Sequence, residues 1–457
     1  MDDASASAQT NEVTVEVTAL SSRGAGVGRV GGKVVFVPLA LPGETVRAGI
    51  ARRRRDYDQA YLIEIITRSP ARVQPFCQMY PSCHGCQLQH LAEAEQLPMK
   101  AEATGMAGWL TRAGESAEVA LHPAPSGIAY RTAARFHVNL SEPLYFGFLD
   151  GRRVTHVSSC PVLSPGLNRL LAALSKAASE PVSARRFRKL RITAVRAYSM
   201  QAEDAVAAVL CSEENVDDDV RGPLTELLDA LRPNLPSLIG FSYVGEGRRA
   251  PIHLLESGFD DEWPETRRSL GEGGGGVPVR VNFGAFAQAN PPVAAAVYRA
   301  AVEWVAPRPG EVGADLYCGT GAIADLLASR GARVFGVELS DIALSHHPRE
   351  FIGSPGDPPP DSGVTYIHSD AARSLPDIPP LDFIIADPPR DGFTKKARSR
   401  LADRRVRRFV IISCDAATLK RDLAELLPAY RVERLAFYDM MPYTADVEIL
   451  ALLRAQE

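Results

Sequence analysis

A chain of 457 residues is too long for a single hydrophobic core, so two to four domains are expected, and 46% hydrophobic with 23% charged residues excludes a disordered or fibrous protein. No apolar run approaches the roughly 20 residues a membrane-spanning helix needs, and the acidic, polar stretch Met1–Thr10 does not read as a secretory signal, so the cytoplasm is the expected compartment. The net charge of −4 does not advertise a nucleic-acid binder, yet the basic residues are bunched, at Arg52–Arg55, at Arg185–Lys189 and as eight between Lys395 and Arg408.

Residues 13 to 67 read as strands only. Val13–Val17 alternates, Gly24–Gly32 supplies turns, Lys33–Pro38 is a second strand, Leu41–Val46 turns into a third, and Ala60–Ile65 adds another. Short strands with glycine turns predict a small barrel of the oligonucleotide-binding kind, in which Arg52–Arg55, Tyr57 and Tyr61 suit RNA backbone contact and base stacking. Next come Cys77, Cys83 and Cys86, three of seven cysteines within ten residues. Their C-x5-C-x2-C spacing serves zinc and iron–sulfur sites alike, and each normally wants four ligands. His84, His90 and Cys160 are the candidates for the fourth, with Cys160 foremost because a Cys-Pro pair commonly closes an iron–sulfur set. Cys211, inside an apolar run, reads as a buried small hydrophobe.

Gln89–Ala113 carries a helical pattern, residues 128–160 look extended, Leu167–Ala178 is a helix, Leu190–Cys211 a hairpin and Pro223–Leu231 another helix. Glu213–Asp219 reads as a solvated turn, and Leu270–Gly276, with four consecutive glycines, as a linker. The character then changes. Helices at Pro291–Val305 and Gly321–Ala328 interleave with strands at Val312–Tyr317, Arg333–Glu338, Val364–His368, Phe383–Ala386 and Phe409–Ile412, the pattern of a doubly wound parallel sheet. The expected division is a barrel at 12–70, an α+β central domain at 71–278 and an α/β domain at 279–457, with residues 91–118 a candidate to pack against the last.

In such sheets ligands bind beyond the carboxyl ends of the strands, and three motifs sit there. Asp315-Leu316-Tyr317-Cys318-Gly319-Thr320-Gly321 lets the backbone approach a ligand closely, and Glu338 ends the next strand where a carboxylate accepts ribose hydroxyls. Asp370 is placed to hold an adenine amine, so a nucleoside-containing cofactor follows; the P-loop pattern is absent, which disfavours an NTPase. Asp387-Pro388-Pro389-Arg390 is a stiff strand exit, and Cys414 stands where the run Phe409–Ser413 ends. Glu448 lies on a predicted strand among apolar residues, where a carboxylate is costly unless paired or functional.

Taken together, these residues resemble the bacterial RNA 5-methyluridine methyltransferases, in particular the iron–sulfur, TRAM-containing branch that modifies 23S ribosomal RNA. The likeness runs through Gly26-Val27-Gly28-Arg29, Phe36-Val37-Pro38, Leu41-Pro42-Gly43-Glu44, Gly85–His90, Phe286-Ala287-Gln288-Ala289-Asn290 and the three strand-end motifs, covering nearly the whole chain. It implies an OB-like TRAM barrel, a central RNA-binding domain and a Rossmann-like methyltransferase domain. It further implies a [4Fe–4S] cluster on Cys77, Cys83, Cys86 and Cys160, and S-adenosylmethionine (SAM) contacts from Gln288, Tyr317, Glu338 and Asp387. Cys414 would be the nucleophile that adds to uracil carbon 6, and Glu448 the base. Ribosomal RNA is the implied partner, transfer RNA methylated at uridine 54 the alternative, and a silent RNA-binding module the reading from another class; nothing calls for an obligate protein partner. Two departures stand out: Ala322-Ile323 replaces the family's Asn-aromatic pair, and Asp446 replaces the His of Pro-x-Thr-x-His-x-Glu.

Overall fold

The computed structural model describes residues 11–151, 153–200, 205–213, 220–245, 252–255, 258–260, 265–270, 277–283, 285–345, 347, 351–357, 359–360 and 363–456. Gly273–Gly276 and most of the acidic turn Glu213–Asp219 lie outside them. Strands β1 (Glu12–Leu20), β2 (Gly26–Val30), β3 (Lys33–Val37), β4 (Thr45–Arg53) and β5 (Tyr57–Thr67) close into a barrel in the order β1-β2-β3-β5-β4. Alternation turns Val15, Val17, Val35, Val37, Val46 and Ala48 into its core. Gly28 has to be glycine, since a Cβ there would lie 2.3 Å from the Glu16 carbonyl oxygen.

The helical stretch expected over Gln89–Ala113 is two helices, α1 (Glu93–Ala103) and α2 (Met106–Arg112), broken at Gly105, whose φ of 61° ends the first and starts the second. β6 (Glu118–His122) follows. The central layer has β7 (Ala133–Asn139), β8 (Tyr145–Asp150), β9 (Arg153–His156), α3 (Pro165–Ser179), α4 (Pro181–Lys189), β10 (Ile192–Met200), β11 (Ala205–Ser212), α5 (Arg221–Leu231), β12 (Leu238–Val244), β13 (Ile252–Leu255) and β14 (Gly258–Asp260). Its strands form one sheet in the order β14-β13-β12-β11-β10-β7-β8-β9. Leu170, Leu174, Phe187 and Leu227 of the helices meet Phe136, Phe146, Leu210 and Phe241 of the strands in its core. A hairpin of β15 (Glu265–Leu270) and β16 (Val277–Asn282) follows.

The last layer runs α6 (Pro291–Val305), β17 (Val312–Leu316), α7 (Ala322–Ala328), β18 (Arg333–Glu338), α8 (Asp341–Leu344), β19 (Val364–His368), α9 (Ala371–Ser374), β20 (Phe383–Ala386), α10 (Lys395–Arg404), β21 (Arg408–Ser413), α11 (Ala416–Leu426), β22 (Tyr430–Tyr438) and β23 (Glu448–Ala455). The sheet order is β19-β18-β17-β20-β21-β23-β22-β6, parallel through β21, with β23 antiparallel to both its neighbours. The order turns back on itself between β17 and β20, which opens a crevice at their carboxyl ends. β6 joins this sheet from more than 300 residues away, parallel to β22, and Leu97, Met106 and Leu110 of α1 and α2 share its core with Ile384, Phe409 and Leu423. On the opposite face, Val293, Val297 and Ala301 of α6 pack with Tyr198 and Val209 of the central sheet, so one core binds the two layers. No helix among the described residues is long and apolar enough to cross a membrane.

Of the three basic runs, two are partly consumed within the molecule, although Lys395, Lys396, Arg405 and Arg407 stay exposed. Arg398 is buried against Asp422, Arg400 and Arg404 donate to carbonyls at the end of α9 and the turn after it, and Arg408 binds Glu311. Arg186 pairs with Glu226, and Arg188 with Glu142. Arg52–Arg55, by contrast, project from the barrel into solvent.

Candidate active site

Three strand ends and the start of a fourth strand build the site. After β21, Asp415 caps α11 by accepting the Thr418 N–H at 2.8 Å and anchors its own N–H on Ser413 Oγ at 3.3 Å. Cys414 is held between that cap and the strand, exposed on one side. Ser413 pairs with Ile449 and Tyr438 with Glu448, so the register sets Glu448, buried at the start of β23, beside Cys414. Asp387 leaves β20 next to them, its N–H on the Leu316 carbonyl at 3.2 Å. After β17 the chain turns through Tyr317 (φ 63°), Gly319 (φ 56°) and Gly321 (φ 82°) into α7. A Cβ on Gly321 would meet the Tyr366 hydroxyl at 2.3 Å, so only glycine admits this close turn.

The electrostatics are those of a site crowded with acids. Burial first, and then the neighbouring Asp387 carboxylate, push Glu448 well above the usual carboxylate range; Asp446 adds to the shift. Burial likewise raises Asp387, and Asp315 is raised by burial and then by Asp387. The crowded strand ends strip water from Cys414; that loss first, and Glu448 second, push its thiol up to about 11, against the pull of the Arg390 guanidinium. A thiol raised this far is protonated at neutral pH, and Glu448 and Asp387 are the carboxylates that act on it electrostatically.

The cofactor residues expected from the sequence gather round the glycine turn. Glu338 accepts the Gly319 N–H at 2.9 Å and the Ser340 N–H at 2.7 Å, so its carboxylate braces the turn. Asp370 caps α9 by accepting the Arg373 N–H at 3.0 Å. Tyr317 lies within electrostatic reach of both, and burial, followed by Asp370, pushes its phenol up to about 12. Gln288 hydrogen-bonds the Tyr298 phenol, which in turn feels Asp387, Asp315 and Glu448. Gln288 is therefore linked to the acids of the crevice through Tyr298. Ala322 and Ile323 are buried in the first turn of α7, where their side chains pack into the core.

Three contributors were missed or left without a role in the sequence. Tyr298 stands among the alanines of α6 and gave no signal. Asp315, one oxygen on the Ala324 N–H at 2.9 Å, sat in a quoted motif, as did Arg390. Arg390 lies 3.9 Å from Asp415 and 3.5 Å from Asp446, spanning the mouth above Cys414. Asp446 is exposed and Glu448 buried, so the two carboxylates do not face one enclosed space.

Cys77, Cys83, Cys86 and Cys160 are free thiols, all half-buried. Cys86 lies within electrostatic reach of the other three, and Cys86 and Cys160 pack on Tyr130, Val162 and Tyr443. Of the other candidates, His90 is buried with Nδ1 on the Tyr80 hydroxyl at 2.5 Å, and His84 faces solvent near Asp150. Among the described residues, no three His, Cys, Asp or Glu side chains are set closely enough for a single metal ion. Cys211 is half-buried and packs at the edge of the core shared by α6 and the central sheet.

A closed five-stranded barrel joined to a Rossmann-like sheet with a glycine-cradled strand end defines a methyltransferase fold carrying an RNA-binding module. Comparison with known proteins agrees. Residues 8–60 match the TRAM domain family and residues 379–456 the tRNA (Uracil-5-)-methyltransferase family. The 23S rRNA (uracil(1939)-C(5))-methyltransferase RlmD of Chromohalobacter salexigens is 32% identical over 454 residues, spanning 96% of this chain and 88% of that protein. Its counterpart from Thiobacillus denitrificans is 31% identical over 447 residues, spanning 96% and 98%. The solved Pyrococcus abyssi tRNA (uracil-54, C5)-methyltransferase, in complex with S-adenosyl-L-homocysteine, shares the fold with a TM-score of 0.67 at 20% identity, over 96% of this chain and all of that one. The chain belongs to the family of 23S rRNA (uracil-C5)-methyltransferases.

Proposed function

We propose that the protein methylates carbon 5 of a uridine in 23S ribosomal RNA through a covalent bond between Cys414 and the base. The pairing of Cys414 with a buried, proton-hungry Glu448 across β21 and β23 carries this reading. SAM supplies the methyl group, and Gln288, Tyr317, Glu338, Asp370 and Asp387 are the residues proposed to hold it, around a turn whose Gly319 has open space beside it. The thiol gives its proton to Asp387, which leaves the Glu448 carboxylate free for the later step, and its sulfur adds to carbon 6, which loads electron density onto carbon 5. After methylation carbon 5 still bears its proton. Glu448 takes it, the freed electron pair forms the carbon 5–carbon 6 double bond, the carbon 6–sulfur bond breaks, and the thiolate leaves. A uracil reaches Cys414 only when unstacked, so the target is single-stranded or flipped.

We further propose that Cys77, Cys83, Cys86 and Cys160 hold a [4Fe–4S] cluster. The chemistry of the donor set supports it: all four are half-buried cysteines, and Cys86 lies within electrostatic reach of the other three. Methyl transfer needs no electron, so such a cluster would staple residues 77–160. Anaerobic iron and acid-labile sulfide analysis tests this; zinc without sulfide refutes it. The division into domains at about residues 70 and 279 is proposed on the same footing, with RNA entering past Arg52–Arg55.

Labelled SAM and undermodified RNA test the function. 5-Methyluridine is expected in 23S RNA; label in transfer RNA instead favours the alternative substrate, and no label favours a silent binder.

A further inference from the structure

The loop between β22 and β23, residues 439–447, delivers Glu448 to the site, and almost everything that holds it comes from residues 76–130. Lys100 Nζ, itself buried, binds Asp439 at 2.7 Å and the Met441 carbonyl at 3.0 Å. Tyr443 stands at φ 64°, a left-handed conformation that an aromatic residue keeps only when its surroundings impose it. They do. Its carbonyl accepts two N–H groups, from Gln87 and Leu88, both at 2.9 Å; its N–H donates to Gln96 at 2.8 Å; its hydroxyl donates to Glu93 at 2.6 Å. Two residues nearer to the base, the Ala445 N–H donates to Gln87 Oε1 at 3.2 Å. The ring packs edge-on to Phe76 at 4.9 Å and fills the space that Gly127 leaves open, where a Cβ would come within 2.6 Å.

Gln87, which follows Cys86 directly, thus also grips the loop's far end through its side chain. Resting on the reading of Glu448 as the base, we propose that Gln87 and Tyr443 are positioning residues: the segment after the third cysteine is the mount that sets Glu448 over carbon 5. The demand falls on one step. Sulfur addition and methylation depend on Cys414 and the cofactor turn, which this clamp does not touch; proton removal from carbon 5 and release of the thiolate depend on where Glu448 stands.

The test separates those steps with Gln87→Ala in the full-length protein. Wild type is expected to form a stable RNA adduct with 5-fluorouridine-substituted RNA, in which fluorine replaces the proton the base removes. Gln87→Ala should form that adduct and bind SAM as wild type does. On uridine RNA it should release methylated product about 10- to 100-fold more slowly, the cost expected of a catalytic group displaced by about 1 Å, with adduct accumulating on denaturing gels. Gln87→Glu, which keeps the acceptor for Ala445, should recover most of the release rate. Unchanged release in Gln87→Ala overturns the proposal, and so does loss of adduct formation or SAM binding alongside release, since the clamp would then be a general structural support. Failure of wild type to form the fluorinated adduct would instead strike at the reading of Cys414.

Discussion

Two buried glutamates behave in opposite ways. Glu44, in the barrel, is only 1% exposed, and Glu448, in the catalytic sheet, 8%. Burial raises the pKa of both. At Glu44 it is overcome: Arg72 binds the carboxylate at 2.5 Å through Nε, and the Leu41 and Ser69 N–H groups donate to it, holding it below its ordinary value. At Glu448 the neighbours are Asp387 and Asp446, which push the same way as burial. The first arrangement is a fastener between the barrel and the chain that follows it. The second leaves a carboxylate that holds a proton avidly, which stability alone would select against and proton abstraction requires.

The contrast can be broken from either side. Cys414→Ala should have the largest effect, abolishing turnover while SAM binding stays near wild type; residual methylation of RNA would remove the cysteine from the chemistry. Glu448→Gln should cost about 10²–10⁴ in turnover, the usual range for losing a general base, and should accumulate an RNA–protein adduct visible on denaturing gels. At the other glutamate, Arg72→Ala strands a buried carboxylate and should cost about 3–5 kcal/mol of stability, read as a lower denaturant midpoint with SAM-independent unfolding.

The two sites also differ in the sign of their pH dependence. Glu44 is depressed, so the stability it contributes is present above the ordinary glutamate pKa and is lost as pH falls through its lower folded value. Glu448 is raised, so its neutral form favours the fold, and that contribution is lost as pH rises through the raised value. Turnover, which needs the ionised base, should rise over the same interval in which the fold is taxed. Glu448→Gln should flatten both trends, as pH–rate profiles and denaturation at several pH values would register. The smallest effect is expected from Asp446→His. The Arg390–Asp446 pair is exposed and 3.5 Å apart, and an exposed pair is worth about 1 kcal/mol at most, so the rate should change less than about tenfold.

Much of this site was legible in the sequence because its parts are local. A strand, a turn and a helix start follow one another within a dozen residues at Asp315–Ile323 and again at Phe409–Thr418, and their spacing carries the chemistry. What escaped notice depends on long-range pairing. β6 joins a sheet whose other strands begin nearly 200 residues later, and EVALH is too short to announce that. The bond from Lys100 to Asp439 spans 339 residues, and neither residue has a pattern that names the other. The basic run at Lys395–Arg408 was legible only as charge density: the carbonyls and carboxylates that absorb Arg398, Arg404 and Arg408, leaving Lys395, Lys396, Arg405 and Arg407 exposed, do not show in the sequence.

The most direct test is to trap the bond itself. Wild-type protein, SAM and 5-fluorouridine-substituted 23S RNA are mixed, the denatured complex is digested, and the cross-linked peptide is sequenced. A uracil attached to Cys414, and absent when SAM is withheld or Cys414 is replaced, is the predicted result. Methylated product with no adduct, or an adduct on another cysteine such as Cys318, would contradict it.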